Sequence, residues 1–370
     1  MTLKLYLGMK PVMFAKSRLA IRSFAAVELF CAAYSIDTSP ASAQPVEEAY
    51  CGAPHFDSLS TAPGDGHFGW IVDCSPGSGP IETRLVLSDP LSGERMVTIG
   101  PHRAVRMLGF APSGRVYWAS TQARSTLQSA SRRLTISSYD DGGQIREETA
   151  LDLPLEAEIA EKIDVPGGWL IRLSPEAGRT PEQGLFVFYR GGELQVADTA
   201  TVGKLLWRAG PLAVLYRDKE NNLQALGLDG HDAPEMAKTY APSLPMLDPS
   251  EHYAGAFNGP VALRVKEDPK TRIYTASIIT NPSAQGGKAT ALVLATWRDD
   301  WLNTVTMSAD GQKIALAFSD RIEVRTSTDR WKNARVLPYR DAFQSDIAFD
   351  ANGTTLIAIS QTVHRWPIAP

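Results

Sequence analysis

The sequence predicts an all-β fold: a β-propeller of four-stranded antiparallel sheets, seven in number, with eight as the alternative. Two observations carry this prediction. One pattern is written twice near the C-terminus, and the runs flanking it alternate with the period of a strand. Val305-Thr306-Met307-Ser308-Ala309-Asp310-Gly311-Gln312-Lys313-Ile314-Ala315-Leu316-Ala317 is followed by Ile347-Ala348-Phe349-Asp350-Ala351-Asn352-Gly353-Thr354-Thr355-Leu356-Ile357-Ala358-Ile359. The turn glycines Gly311 and Gly353 lie 42 residues apart, and the flanking apolar positions keep that offset. A repeat of roughly 40–45 residues built from short strands is the period of a propeller blade.

Within each copy, alternation places Val305 and Met307, or Ile347 and Phe349, on one face of a strand. Asp310-Gly311 and Asn352-Gly353 read as tight turns, because glycine reaches positive φ without a Cβ clash. The runs after them are apolar on both faces, which suits a strand packed between neighbouring blades. Third strands follow at residues 321–325 and 362–366. On these residues the chain resembles the WD-repeat and TolB-like propellers. Their blades join an inner strand, a Ser/Asp-x-Asp/Asn-Gly type of turn and an apolar second strand. The resemblance covers about sixty residues, 304–366. No Gly-His opens a blade and no Trp-Asp closes one, so it does not imply the hydrogen-bond network of true WD repeats.

The N-terminus reads differently. Lys4, Lys10, Lys16, Arg18 and Arg22 precede an apolar run at residues 23–33, and Ala41-Ser42-Ala43 is a small-x-small cleavage pattern. Residues 1–43 therefore read as a signal peptide, with Gln44 as the mature start and Met13 as an alternative initiation site. The apolar run is shorter than the roughly 20 residues a membrane span needs. Residues 44–370 read as a single propeller domain, periplasmic or secreted. Without the leader the formal charge of −4 becomes about −7, which disfavours nucleic acid as a partner. Export leaves two cysteines, Cys51 and Cys74, which read as one disulfide. It would close a loop of about 22 residues, worth on the order of 3 kcal/mol.

Strands are expected in order at residues 69–74, 83–88 and 95–99 in the first blade. The second blade has them at 105–110, 116–118 and 133–139. Residues 155–162, with Leu155, Ile159 and Ile163 four apart, read as a connecting loop or one helical turn. A third blade spans 169–173, 185–189 and 193–196; a fourth spans 211–216 and 223–228; a fifth spans 261–265, 273–279 and 291–296. Gly114 and Gly311 stand 197 residues apart, and insertions in the second and fifth blades favour four blade steps across that distance. The last blade lacks a fourth strand. The expected donor is the mature start, near residues 45–50, pairing with residues near 362–367.

No catalytic, cofactor-binding or metal residue is assigned. The chain has no Gly-x-Ser-x-Gly elbow, no His-Glu-x-x-His and no phosphate-binding loop, and no two of its six histidines stand at metal-ligand spacing. Residues 218–222 have the acidic and amide composition of a calcium loop but not its Gly or terminal Glu, so they read as a hairpin turn. Asp248, Glu251 and His252, and likewise Arg298, Asp299 and Asp300 beside Trp301, read as polar loops. The eight tryptophans, spread through the blades, read as packing residues. Two functions remain. One is a monomeric binding or scaffold module that holds a protein or small molecule on a propeller face. The other is a lactonase- or lyase-type enzyme with a metal at the channel mouth, marked by three or more carboxylate, amide or imidazole groups converging on the axis.

Overall fold

The structure, a computed structural model, describes residues 44–45, 54–62, 66–74, 82–89, 93–100, 104–123, 132–140, 142–153, 157–175, 184–209, 212–241, 252–255, 261–268, 270–280, 290–298, 302–339, 346–359 and 362–368. All of them belong to one compact unit, Ala41–Pro370.

The chain begins with β1 (Gln44–Pro45). The first blade then takes β2 (Pro54–Thr61), β3 (Phe68–Cys74), β4 (Glu82–Asp89) and β5 (Gly93–Gly100). The second takes β6 (Ala104–Phe110), β7 (Val116–Ala123), β8 (Arg132–Tyr139) and β9 (Ile145–Asp152). The third takes β10 (Ala157–Val165), β11 (Gly168–Pro175), β12 (Leu185–Arg190) and β13 (Glu193–Val196). The fourth has three strands, β14 (Lys204–Ala209), β15 (Ala213–Arg217) and β16 (Leu223–Gly227), followed by helix α1 (Pro234–Tyr240). The fifth takes β17 (His252–Gly255), β18 (Val261–Asp268), β19 (Ile273–Thr280) and β20 (Thr290–Arg298). The sixth takes β21 (Leu302–Met307), β22 (Lys313–Phe318), β23 (Arg321–Thr326) and β24 (Arg335–Pro338). The seventh takes β25 (Asp346–Phe349), β26 (Thr355–Ile359) and β27 (Thr362–Pro367), with β1 in its fourth place. There Gln44 lies opposite Val363, and Pro45 opposite Thr362.

Seven sheets are therefore arranged as a seven-bladed propeller. The first strand of each blade touches the first strand of the next, and the circle returns from β25 to β2. The cores lie between the blades, one at each of the seven seams. The strand β22 shows why the apolar runs are two-faced. Ile314, Leu316 and Phe318 pack toward the fifth blade, while Ala315 and Ala317 pack toward the seventh. All six of its residues are buried. β26 repeats the device, with Leu356 and Ala358 on one seam and Ile357 and Ile359 on the next.

The twin turns are i to i+3 turns that begin two residues before Asp310 and Asn352. Gly311 N–H donates to the Ser308 carbonyl, and Gly353 N–H donates to the Asp350 carbonyl, each at 2.9 Å. Only the glycines take positive φ, 71° and 67°. The same turn recurs at Gly114 and Gly143, and in the fourth blade Asn221 takes the glycine's place at φ 66°.

Three departures from the sequence reading have physical causes. Residues 157–165 form an inner strand, not a loop or helical turn. The four-residue spacing of Ile159 and Ile163 fits period two as well as a helix, and a bulge between Ile159 and Glu161 blurs the alternation. The inner strands β2, β14 and β17 are absent from the reading, which placed His252 of β17 in a polar loop; β2 and β14 carry similar register shifts at Asp57/Ser60 and Leu205/Trp207. Among the described residues the fourth blade has three strands, and α1 after β16 places Ala237 and Tyr240 in the seam to the fifth blade.

Candidate functional site

Six of the seven inner strands end around one cavity. It has a volume of about 1110 Å³ and is lined by the last residues of β2, β6, β10, β21 and β25, by β14, and by the turns that follow several of them. This places the cavity at the axial mouth, on the face where each blade's first hairpin turns. The turn between β10 and β11 shows how the backbone is brought there. Val165 pairs with Gly168, leaving Pro166 and Gly167 at the corner with Gly167 at φ 78°. Proline pre-sets the first corner position and glycine alone takes the second without strain.

Neighbouring inner strands belong to separate sheets and do not share a ladder, so side chains bridge them. Leu59 N–H donates to Asp346 Oδ2 at 2.9 Å, and Thr61 Oγ1 donates to the Phe349 carbonyl at 3.0 Å, joining the first and seventh blades. Lys162 Nζ donates to the Leu108 carbonyl at 2.6 Å, between the third and second blades. Glu161 Oε2 accepts from Leu205 N–H at 2.7 Å and from Arg172 Nε at 2.8 Å, joining the third and fourth. Lys313 Nζ, buried, donates to the Gly353 carbonyl at 2.6 Å and ties the twin turns together.

Polar groups lining the mouth are largely engaged within the protein. Glu148 accepts from Arg115 at 3.2 Å and from Ser138 Oγ at 2.5 Å. Asp350 accepts from the N–H groups of Thr354 and Thr355 at 2.6 and 3.0 Å, and from Thr354 Oγ1 at 2.7 Å. Asp164 lies 3.4 Å from Lys162 Nζ. Burial pulls the Arg208 guanidinium below its ordinary value, with Asp164 opposing. Beside these groups, Tyr117, Trp169 and Tyr189 form an aromatic cluster with ring centroids 5.4–5.9 Å apart. Burial pushes the Tyr189 hydroxyl up to about 12, helped by Tyr117 and Glu148, so it stays protonated.

The sequence-selected residues lie away from this mouth or outside the described residues. Cys51, Asp248, Glu251, Asp299, Asp300 and Trp301 lie outside them, and Cys74 is described only as the last backbone position of β3. His252 opens β17 and Arg298 closes β20. Residues 218–222 make the hairpin turn from β15 to β16. Burial of Asp218 would raise its carboxyl, but donors from Gln224, Asn222 and Glu220 outweigh it and hold the group below the usual range. Five tryptophans (70, 118, 169, 331 and 366) are buried in the seams. No sequence motif marks the mouth, because its lining comes from bulged strand ends scattered from residue 59 to residue 351. Among the described residues, no three His, Cys, Asp or Glu side chains form a group that could hold a metal ion. No helix among them is long and apolar enough to cross a membrane.

No protein-family model matches the chain, and no curated protein matches it. Among solved structures, the β-propeller domain of Cps50 (Swd1) from Myceliophteria thermophila superposes with a TM-score of 0.51 at 13% identity. That match covers 86% of this chain and 97% of the other. Sqt1 from Chaetomium thermophilum gives 0.48 at 8% identity, over 85% and 97% of the two chains. At such identity the first likeness concerns the fold alone, and that fold is a seven-bladed β-propeller.

Proposed function

We propose that this chain is an exported binding module whose axial mouth holds a protein partner. One observation carries the reading. The mouth is a wide surface assembled from six blades, and its carboxylates at positions 148 and 350 are already satisfied by the protein's own donors. Groups held that way shape a recognition surface and keep it rigid. A cross-linker carried by Ala351, on the seventh blade's first turn, is expected to give one discrete adduct in extracts of the native host.

Export rests on the basic leader, the apolar run and the Ala41-Ser42-Ala43 site. Cleavage after Ala43 would make Gln44, the first residue of β1, the mature start, so the donated strand would close the ring from the new N-terminus. A Cys51–Cys74 disulfide would tie that strand to the first blade. Cys74 pairs with Pro54, which stands three residues beyond Cys51 in the sequence. Protein recovered from its host is expected to begin at Gln44 and to yield Cys51 and Cys74 linked in a non-reducing peptide map. Deleting residues 44–50 is expected to lower Tm by several degrees, at about 2–4 °C per kcal/mol. An intact leader, two free thiols or an unchanged Tm would each contradict the corresponding part.

A further inference from the structure

The last strand of a blade is a sheet edge, with one side paired and the other presenting free N–H and C=O groups. Most such edges here carry residues that discourage further pairing. β5 contains Glu94 and Arg95, β9 contains Arg146, Glu147 and Glu148, β13 opens with Glu193, and β24 contains Arg335 and Pro338. β20 is different. From Thr290 to Thr296 it reads Thr-Ala-Leu-Val-Leu-Ala-Thr, with no charge, proline or glycine. Leu292 and Val293 are 56% and 58% exposed, although both are large and apolar. These seven residues also read the same in both directions about Val293.

We propose that this edge pairs with the same edge of a second copy, antiparallel, about a two-fold axis at Val293. Across such an axis, positions equally far before and after the centre face each other. Thr290 then meets Thr296 of the second copy, Ala291 meets Ala295, Leu292 meets Leu294, and Val293 meets itself. Within these seven residues like meets like and no charges are opposed, and the contact is isologous and closes at two copies. β20 bulges at Leu294 against β19, since Val293 pairs with Ser277 and Ala295 with Ala276. A bulge sharpens local twist, which confines the pairing to a short stretch around the axis. Leu294 packs inward against the seam to the sixth blade, and Trp297 beyond it bonds to Glu323, so this end of the edge is held rigid. At most seven residues on each side take part, which bury less than the roughly 1,200 Å² of a standard interface, so the dimer forms with rising concentration. The pairing replaces the monomer that the sequence suggests, and it lies on the rim, independent of the mouth.

Sedimentation of the protein from about 1 to about 300 μM brackets the micromolar range expected of a small interface. The mass is expected to rise from monomer to dimer and stop there. Val293→Lys and Val293→Glu each set like charges against one another across the axis, and each is expected to weaken association about tenfold or more. Both changes fall on an exposed site, so melting temperatures should stay as they were. An equimolar mixture of the two variants is expected to regain the dimer, because position 293 faces itself. A monomer at every concentration, open-ended oligomers, a dimer indifferent to Val293→Lys, or a mixture that stays monomeric would each overturn the proposal.

Discussion

Changing Gly168 to alanine is expected to destabilise the propeller by about 3 kcal/mol or more, whereas the same change at Gly167 costs about 1–2 kcal/mol. The two glycines are adjacent and fail for different reasons. A Cβ on Gly168 would lie 1.8 Å from the Tyr189 carbonyl oxygen and 3.3 Å from Arg190 Cα. Those are backbone atoms of the paired strand, and they can yield only if β11 and β12 part. Gly167 has nothing within 4 Å of its Cβ position, so alanine there meets only the strain of φ 78°. Thermal or denaturant unfolding of the two variants reads the difference. Equal losses at the two positions would show that the β11–β12 approach is looser than described. Because Tyr189 belongs to the aromatic cluster at the mouth, Gly168→Ala should also disturb the near-ultraviolet spectrum.

The second large effect lies at the seam between the fifth and sixth blades. Glu323 is buried and accepts from Trp297 Nε1 at 3.1 and 3.2 Å, from Arg321 Nε at 3.1 Å and from Arg325 Nη2 at 3.3 Å. Arg325 is itself nearly buried, and Arg321 is about one-fifth exposed. Removing the carboxylate with Glu323→Ala leaves the nearly buried Arg325 guanidinium without its counter-charge, while Arg321 keeps its ion pair with Asp320 at 2.9 Å, and the cost is about 3–5 kcal/mol. Adding Arg325→Met removes that guanidinium and should restore part of the loss, since an apolar replacement of a buried pair is often tolerated. A single-variant loss below about 1 kcal/mol would mean that water already reaches this seam.

What was legible in the sequence follows from which strands keep their period. β22 and β26 sit between two blades, take apolar residues on both faces and follow glycine turns, so they announce themselves. The turn residues were legible as to glycine but not as to frame: the reading centred on Asp310-Gly311, while the hydrogen bond starts at Ser308. Inner strands were the least legible. β2, β10 and β14, none of them read as a strand, each carry a register shift that breaks the alternation, and β17, also unread, is four residues long; β6 and β21 were read in spite of such shifts. The mouth inherits that obscurity, because it is built from those same strand ends. Lys162, for example, stood in a stretch read as a connecting loop, yet its ammonium joins two blades at the rim of the cavity. Residues 218–222 were legible because a buried aspartate collecting local donors is what an acidic-amide hairpin turn provides.

The central claim is that partners engage the axial mouth, and the most direct measurement is a cross-linking map of the two propeller faces. Photo-activated side chains at positions 112, 192 and 351 sit on turns at the mouth, in the second, third and seventh blades. Positions 219 and 270, both exposed, sit on the turns that join second to third strands at the opposite face. Illumination in extract from the native host is expected to give the same adduct from all three mouth positions and none from the other two. Adducts confined to positions 219 and 270, or no adduct at any mouth position, would contradict the account.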